Sequence, residues 1–131
     1  MANEATIIEL SGMNPINFTV ADGTSISKGT LCKLSGDHTA SASSAADVFA
    51  GIAAADKVAN DGSTTLALYT PGQGNIFDLT NATSAITLGG ICSLSGANLI
   101  KQALEAEMVT GAVVGKVLEA AATSEVVRVL V

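Results

Sequence analysis

The chain has 131 residues, of which 48% are apolar, 3% aromatic and 14% charged, and its net charge is −6. One domain of this length can bury a core, and with no Trp that core is built from Ala, Val, Leu and Ile. Six scattered Lys and Arg exclude the basic stripe of a nucleic-acid binder, and no apolar run approaches the roughly 20 residues of a membrane-spanning helix.

Residues 1–25 read as an N-terminal arm or a pair of edge strands. Met-Ala-Asn-Glu lacks the basic start and apolar stretch of a signal peptide, so a reducing compartment is expected. Thr6 to Leu10 suits a strand, Ser11 to Pro15 a turn, and Ile16 to Val20 alternates like a second strand. Asp22-Gly23 is turn chemistry.

The segment Ile26-Ser-Lys-Gly-Thr-Leu-Cys-Lys-Leu-Ser-Gly36 then occurs twice. Ile86-Thr-Leu-Gly-Gly-Ile-Cys-Ser-Leu-Ser-Gly96 repeats it sixty positions later, with six of eleven residues identical. An internal repeat decides architecture before any local feature. An ungapped register over 26–85 and 86–131 sets Asp47 on Glu107, Gly51 on Gly111, Val58 on Leu118 and Leu66 on Val126. Within the first copy, Thr30–Leu34, Asp47–Val58 and Thr64–Tyr69 read as strands and Thr39–Ala46 as a polar strand or a loose loop, with Asn60-Asp-Gly and Thr70-Pro-Gly as turns. In the second, Asn75–Asn81 is a strand. Asn98–Met108 has helical composition, but its counterpart in the first copy does not, so the repeat favours strand there. Met108–Glu119 and Glu125–Val131 close the chain as strands. The expected fold is all-β: a small β-barrel or sandwich-like domain of two pseudo-symmetric halves of about 60 residues each.

Chemistry-bearing residues are few. His38 follows a turn and has no nucleophile motif around it, so it reads as a solvated loop histidine. Cys32 and Cys92 occupy equivalent repeat positions. They read as small buried apolar residues, with a disulfide between the halves as the alternative. Together they do not space like metal ligands. Glu105 and Glu107 read as a solvated acidic edge, and Gly72-Gln-Gly74 lacks the strand-to-helix context of a dinucleotide fingerprint. No enzyme, cofactor or metal is expected.

Gly51-Ile-Ala, the closing run Gly111 to Val131, and Ser27-Lys-Gly-Thr-Leu31 resemble tailed-phage capsid decoration (head-stabilising, cement) proteins, in a pattern covering roughly residues 26–131. The sequence departs from that family in its near-exact repeat and its scarcity of aromatics. The resemblance implies a protein made in the host cytoplasm that joins the virion as a homotrimer. It would bind the outer capsid surface and bridge major capsid protein subunits, with no nucleic acid or membrane as partner. By position, the docking arm would be the N-terminal strands, offering Ile7, Ile8, Leu10, Met13, Ile16 and Phe18 to the capsid. The alternatives are another virion component (tail tube, head fibre or baseplate) and a small-ligand or carbohydrate-binding β-barrel, for which the aromatics are too few and dispersed.

Overall fold

The computed structural model describes residues 2–82 and 84–131. Among these residues, eleven strands and one short helix follow one another as β1 (Thr6–Glu9), β2 (Ile16–Thr19), β3 (Leu31–Gly36), β4 (Thr39–Ala42), β5 (Phe49–Ala53), β6 (Thr65–Tyr69), β7 (Ile76–Asn81), β8 (Ile91–Gly96), β9 (Leu99–Gln102), α1 (Glu105–Thr110), β10 (Val113–Val117) and β11 (Val126–Leu130). Strands β2, β4, β3, β5 and β6 close into a barrel. Strands β7, β9, β8, β10 and β11 repeat the arrangement, including the parallel closure (Thr19 opposite Thr39, Thr80 opposite Leu99). The fold is all-β, in two pseudo-symmetric halves.

Strand pairing corrects the ungapped register. The offset is sixty only through β3, β4 and the Asp47/Glu107 pair. Cys32 lies opposite Gly51 and Cys92 opposite Gly115, so Gly51 corresponds to Gly115 rather than Gly111. Four added residues, Met108–Gly111, complete α1 and its left-handed cap, where Gly111 has φ +88°. A shorter β10–β11 connection recovers three of them, so Leu66 corresponds to Val127 and Leu68 to Val129. Ile16–Thr19, expected in a non-repeating arm, is the counterpart of β7 and closes the first barrel. The 98–108 stretch divides: β9 keeps the repeat and α1 follows, where a strand was expected throughout.

Equivalent positions fill each barrel. Phe18, Ile26, Cys32, Ala40, Ala50, Ala53, Leu66 and Leu68 line the first. Leu79, Ile86, Cys92, Ile100, Val114, Val117, Val127 and Val129 stand in their places in the second. The large Phe18 partly offsets three alanines where the second barrel has Ile and two Val, keeping both interiors filled. The outer flank of the first barrel (Leu31, Phe49, Ile52, Tyr69) joins the second barrel's core cluster. This explains the strand sequences. β5, Phe-Ala-Gly-Ile-Ala, is buried at every position because both its faces are covered. β11 alternates, with Val127 and Val129 inward and its neighbours exposed.

Polar tethers fix the corners. Lys57, 4% exposed, donates from Nζ to the carbonyls of Asp22 and Val58 (3.0 and 3.1 Å) and to Asp61 (3.3 Å), tying the β2–β3 loop to the β5–β6 loop. Asp47 and Glu107 play one part in the two halves. Asp47 accepts the N–H groups of Ser44 and Ala45 (2.9 and 3.0 Å), and Glu107 accepts the N–H of Leu104 (2.8 Å) and the Ser93 hydroxyl (3.0 Å). Glu107 was read as part of a solvated edge. It is instead buried and paired with Lys101 at 2.8 Å.

Burial acts to raise the Glu107 carboxyl, but Lys101 and the Leu104 and Ser93 donors outweigh it and hold the pKa below the ordinary 4.5. For Asp47, the Ser44 N–H, helped by the Ala45 N–H and Lys33, outweighs desolvation and holds the pKa below 3.8. Depressed carboxyls contribute stability above their unfolded pKa and lose it as pH falls through the folded values. The thermal midpoint is therefore expected to fall on acidification below about pH 4, and Glu107→Gln is expected to flatten that acid limb. An unchanged limb in the variant would remove Glu107 from the account.

Candidate functional site

The residues that could carry chemistry are spread apart and occupied. His38 is exposed, and its imidazole stacks on Phe18, with centroids 4.6 Å apart and planes 7° from parallel. Its Nε2 lies 2.7 Å from the Asn17 carbonyl oxygen. Cys32 and Cys92 are free and buried in separate barrels, and burial pushes each thiol up to about 12. Since the thiolate is the reactive species, these are structural cysteines. Among the described residues, no group of His, Cys, Asp or Glu is placed to hold a metal ion, and no helix is long and apolar enough to cross a membrane.

What the fold does display is the stretch between β1 and β2. β1 extends the second barrel's sheet along β7, with Thr6 opposite Asp78 and Ile7 opposite Phe77. It also reaches the first barrel, where the Ala5 N–H donates to the Gly29 carbonyl at 2.7 Å. Gly29 permits this approach, because a Cβ there would lie 2.5 Å from the Ala5 oxygen and its φ is +88°. β1 is thus a strap across the junction of the barrels. The loop beyond it is tied down at two points. Asn75 Oδ1 accepts the Ser11 N–H at 2.9 Å, and Gln73 Nε2 donates to the Asn14 carbonyl at 2.9 Å. Both tethering side chains are buried.

This frame presents Ile8, Leu10, Met13 and Ile16 to solvent, 39, 44, 59 and 45% exposed. Four apolar side chains held out on a tethered stretch offer exposed apolar surface of the kind a protein partner covers. The other two expected docking residues differ. Phe18 is buried inside the first barrel, and Ile7 is half-buried against the main core. Alternation alone placed Ile16 and Phe18 on one face. The structure puts Ile16 at the barrel rim and Phe18 within. The tethers Gln73 and Asn75 were read only as a loop residue and the start of a strand, since polar side chains after a Pro-Gly turn give no sign that they will be buried.

The sequence matches no known protein-family model and no curated protein.

Proposed function

We propose that the chain is a tailed-phage capsid decoration protein that binds the outside of an icosahedral head and bridges major capsid protein subunits. The observation that carries this reading is the exposed apolar side chains Ile8, Leu10 and Met13, held on a hydrogen-bonded strap and loop. The resemblance in the closing strands supports it. Affinity in such a role comes from area. A standard interface buries about 1,600 Å², and several copies attached together raise avidity through effective concentration.

Deleting residues 1–20 would remove β2 and open the first barrel, so point variants are the sharper test. Met13→Asp and Leu10→Asp are expected to keep the wild-type melting temperature and to lose co-sedimentation with undecorated capsids of the source virus by at least about tenfold, as expected for a charge placed at an interface centre. Wild-type protein that ignores those capsids would refute the reading. Variants that bind as well as wild type would move the docking surface elsewhere.

A further inference from the structure

The two barrels are related by more than sequence: one end of the second is seated on the side of the first. Phe77 and Leu94, at the mouth of the second barrel, are fully buried in the cluster that holds Leu31, Phe49, Ile52 and Tyr69 of the first barrel's flank. Hydrogen bonds fix this contact. The Leu31 N–H donates to Asn98 Oδ1 (2.9 Å), the Phe49 N–H to the Gly111 carbonyl (3.0 Å) and the Ser43 hydroxyl to the Gly96 carbonyl (2.9 Å).

Strand register says what the same surfaces look like where no barrel covers them. At the mouth of the first barrel, Ile16 stands in the place of Phe77 and Leu34 in that of Leu94. The first two are 45 and 40% exposed; the second two are both 0%. On the flank of the second barrel, Ile91, Val113 and Leu130 stand in the places of Leu31, Phe49 and Tyr69. They line an open, largely apolar groove of about 410 Å³. Each chain therefore carries one unused mouth and one unused flank, of the two shapes already mated inside it. Their charges also differ in sign. Asp37 sits in the hairpin beside the free mouth, and Lys116 replaces Ile52 on the free flank.

We infer that the free mouth of one copy docks on the free flank of the next, so that this protein associates with itself head to tail. The occupant of the groove is a second copy of this chain, because the intramolecular junction is the same contact made once already. Such a contact is heterologous, and successive copies close into a ring when the rotation between them permits. The inference does not depend on a capsid and is tested without one.

The test is sedimentation velocity on the purified full chain at micromolar concentration, with Leu34→Asp as mouth variant and Leu130→Glu as flank variant. Both residues are exposed, so both variants should retain the wild-type circular dichroism. Wild type is expected to sediment as an oligomer and each variant alone as a monomer. An equimolar mixture of the two variants is expected to form a heterodimer and nothing larger, because one intact mouth and one intact flank remain. A charge-reversal pair tests the contact without altering an apolar side chain: Lys116→Glu on the flank is expected to weaken association at least about tenfold, and added Asp37→Lys at the mouth to restore it. A monomeric wild type, or a mixture that stays monomeric while wild type assembles, would overturn the inference.

Discussion

Gly115→Ala is expected to lower unfolding free energy by at least about 3 kcal/mol, with a correspondingly lower urea midpoint at unchanged slope. A Cβ at Gly115 would fall onto the carbonyl oxygen of Leu130, and β10 and β11 meet there through the Lys116–Leu130 pair. Backbone obstructs backbone at this point, so no rotamer change relieves the clash. The strands must separate, which opens the second barrel at its seam. The first barrel makes the same demand: a Cβ at Gly51 would lie 2.6 Å from the Tyr69 carbonyl oxygen, and Gly51→Ala should cost a similar amount. Gly36→Ala is the control. Its nearest neighbour, Thr39 Cβ, would be an ordinary 3.6 Å away, and the change should stay within about 0.5 kcal/mol. Equal midpoints for Gly115→Ala and Gly36→Ala would show that the seam is not as tight as described.

Asn98→Ala is expected to cost about 3 kcal/mol, from two sources. Asn98 is 1% exposed, and its Oδ1 accepts the buried Leu31 N–H across the junction; removing it leaves that donor unpaired, at about 1–3 kcal/mol. Its φ of +57° lies in the left-handed region, which Asn tolerates and Ala does not, adding about 1 kcal/mol. Asn98→Gly removes the first source of stability and not the second, so it should fall between wild type and Asn98→Ala in chemical denaturation. If both variants unfold with wild type, the junction is not held by this bond.

The repeated segment made the architecture legible. Identical Ile, Gly, Cys, Leu and Ser at a fixed spacing demand two similar units, and the structure supplies two barrels. The four-residue insertion was not legible, because Gly111-Ala-Val-Val-Gly115 offers a glycine at either register; only the strand pairing opposite Cys92 chooses Gly115. α1 was hidden for a related reason. Its composition was visible, but the first half has no helix in the matching place, and local preference there outweighed symmetry.

The candidate surface was half legible. A two-residue period marks Ile16 and Phe18 as one face, yet it cannot say where that face passes from barrel interior to rim. The contrast between Phe-Ala-Gly-Ile-Ala and Val-Val-Gly-Lys-Val did carry a message, read only with the fold in hand. The first strand is covered on both faces, and Lys116 marks the second as facing water. Lys57 gave no sign of its burial. A lysine whose ammonium finds two carbonyls and a carboxylate is indistinguishable in sequence from one on the surface.

The most direct measurement is an electron cryo-microscopy reconstruction of undecorated heads of the source virus after incubation with this protein. The proposed function predicts added density on the outer surface, at symmetry-related positions that each span more than one capsid subunit. Two-barrel copies should fit that density, with Leu10 and Met13 turned toward the shell. Heads that remain bare at saturating protein would contradict it.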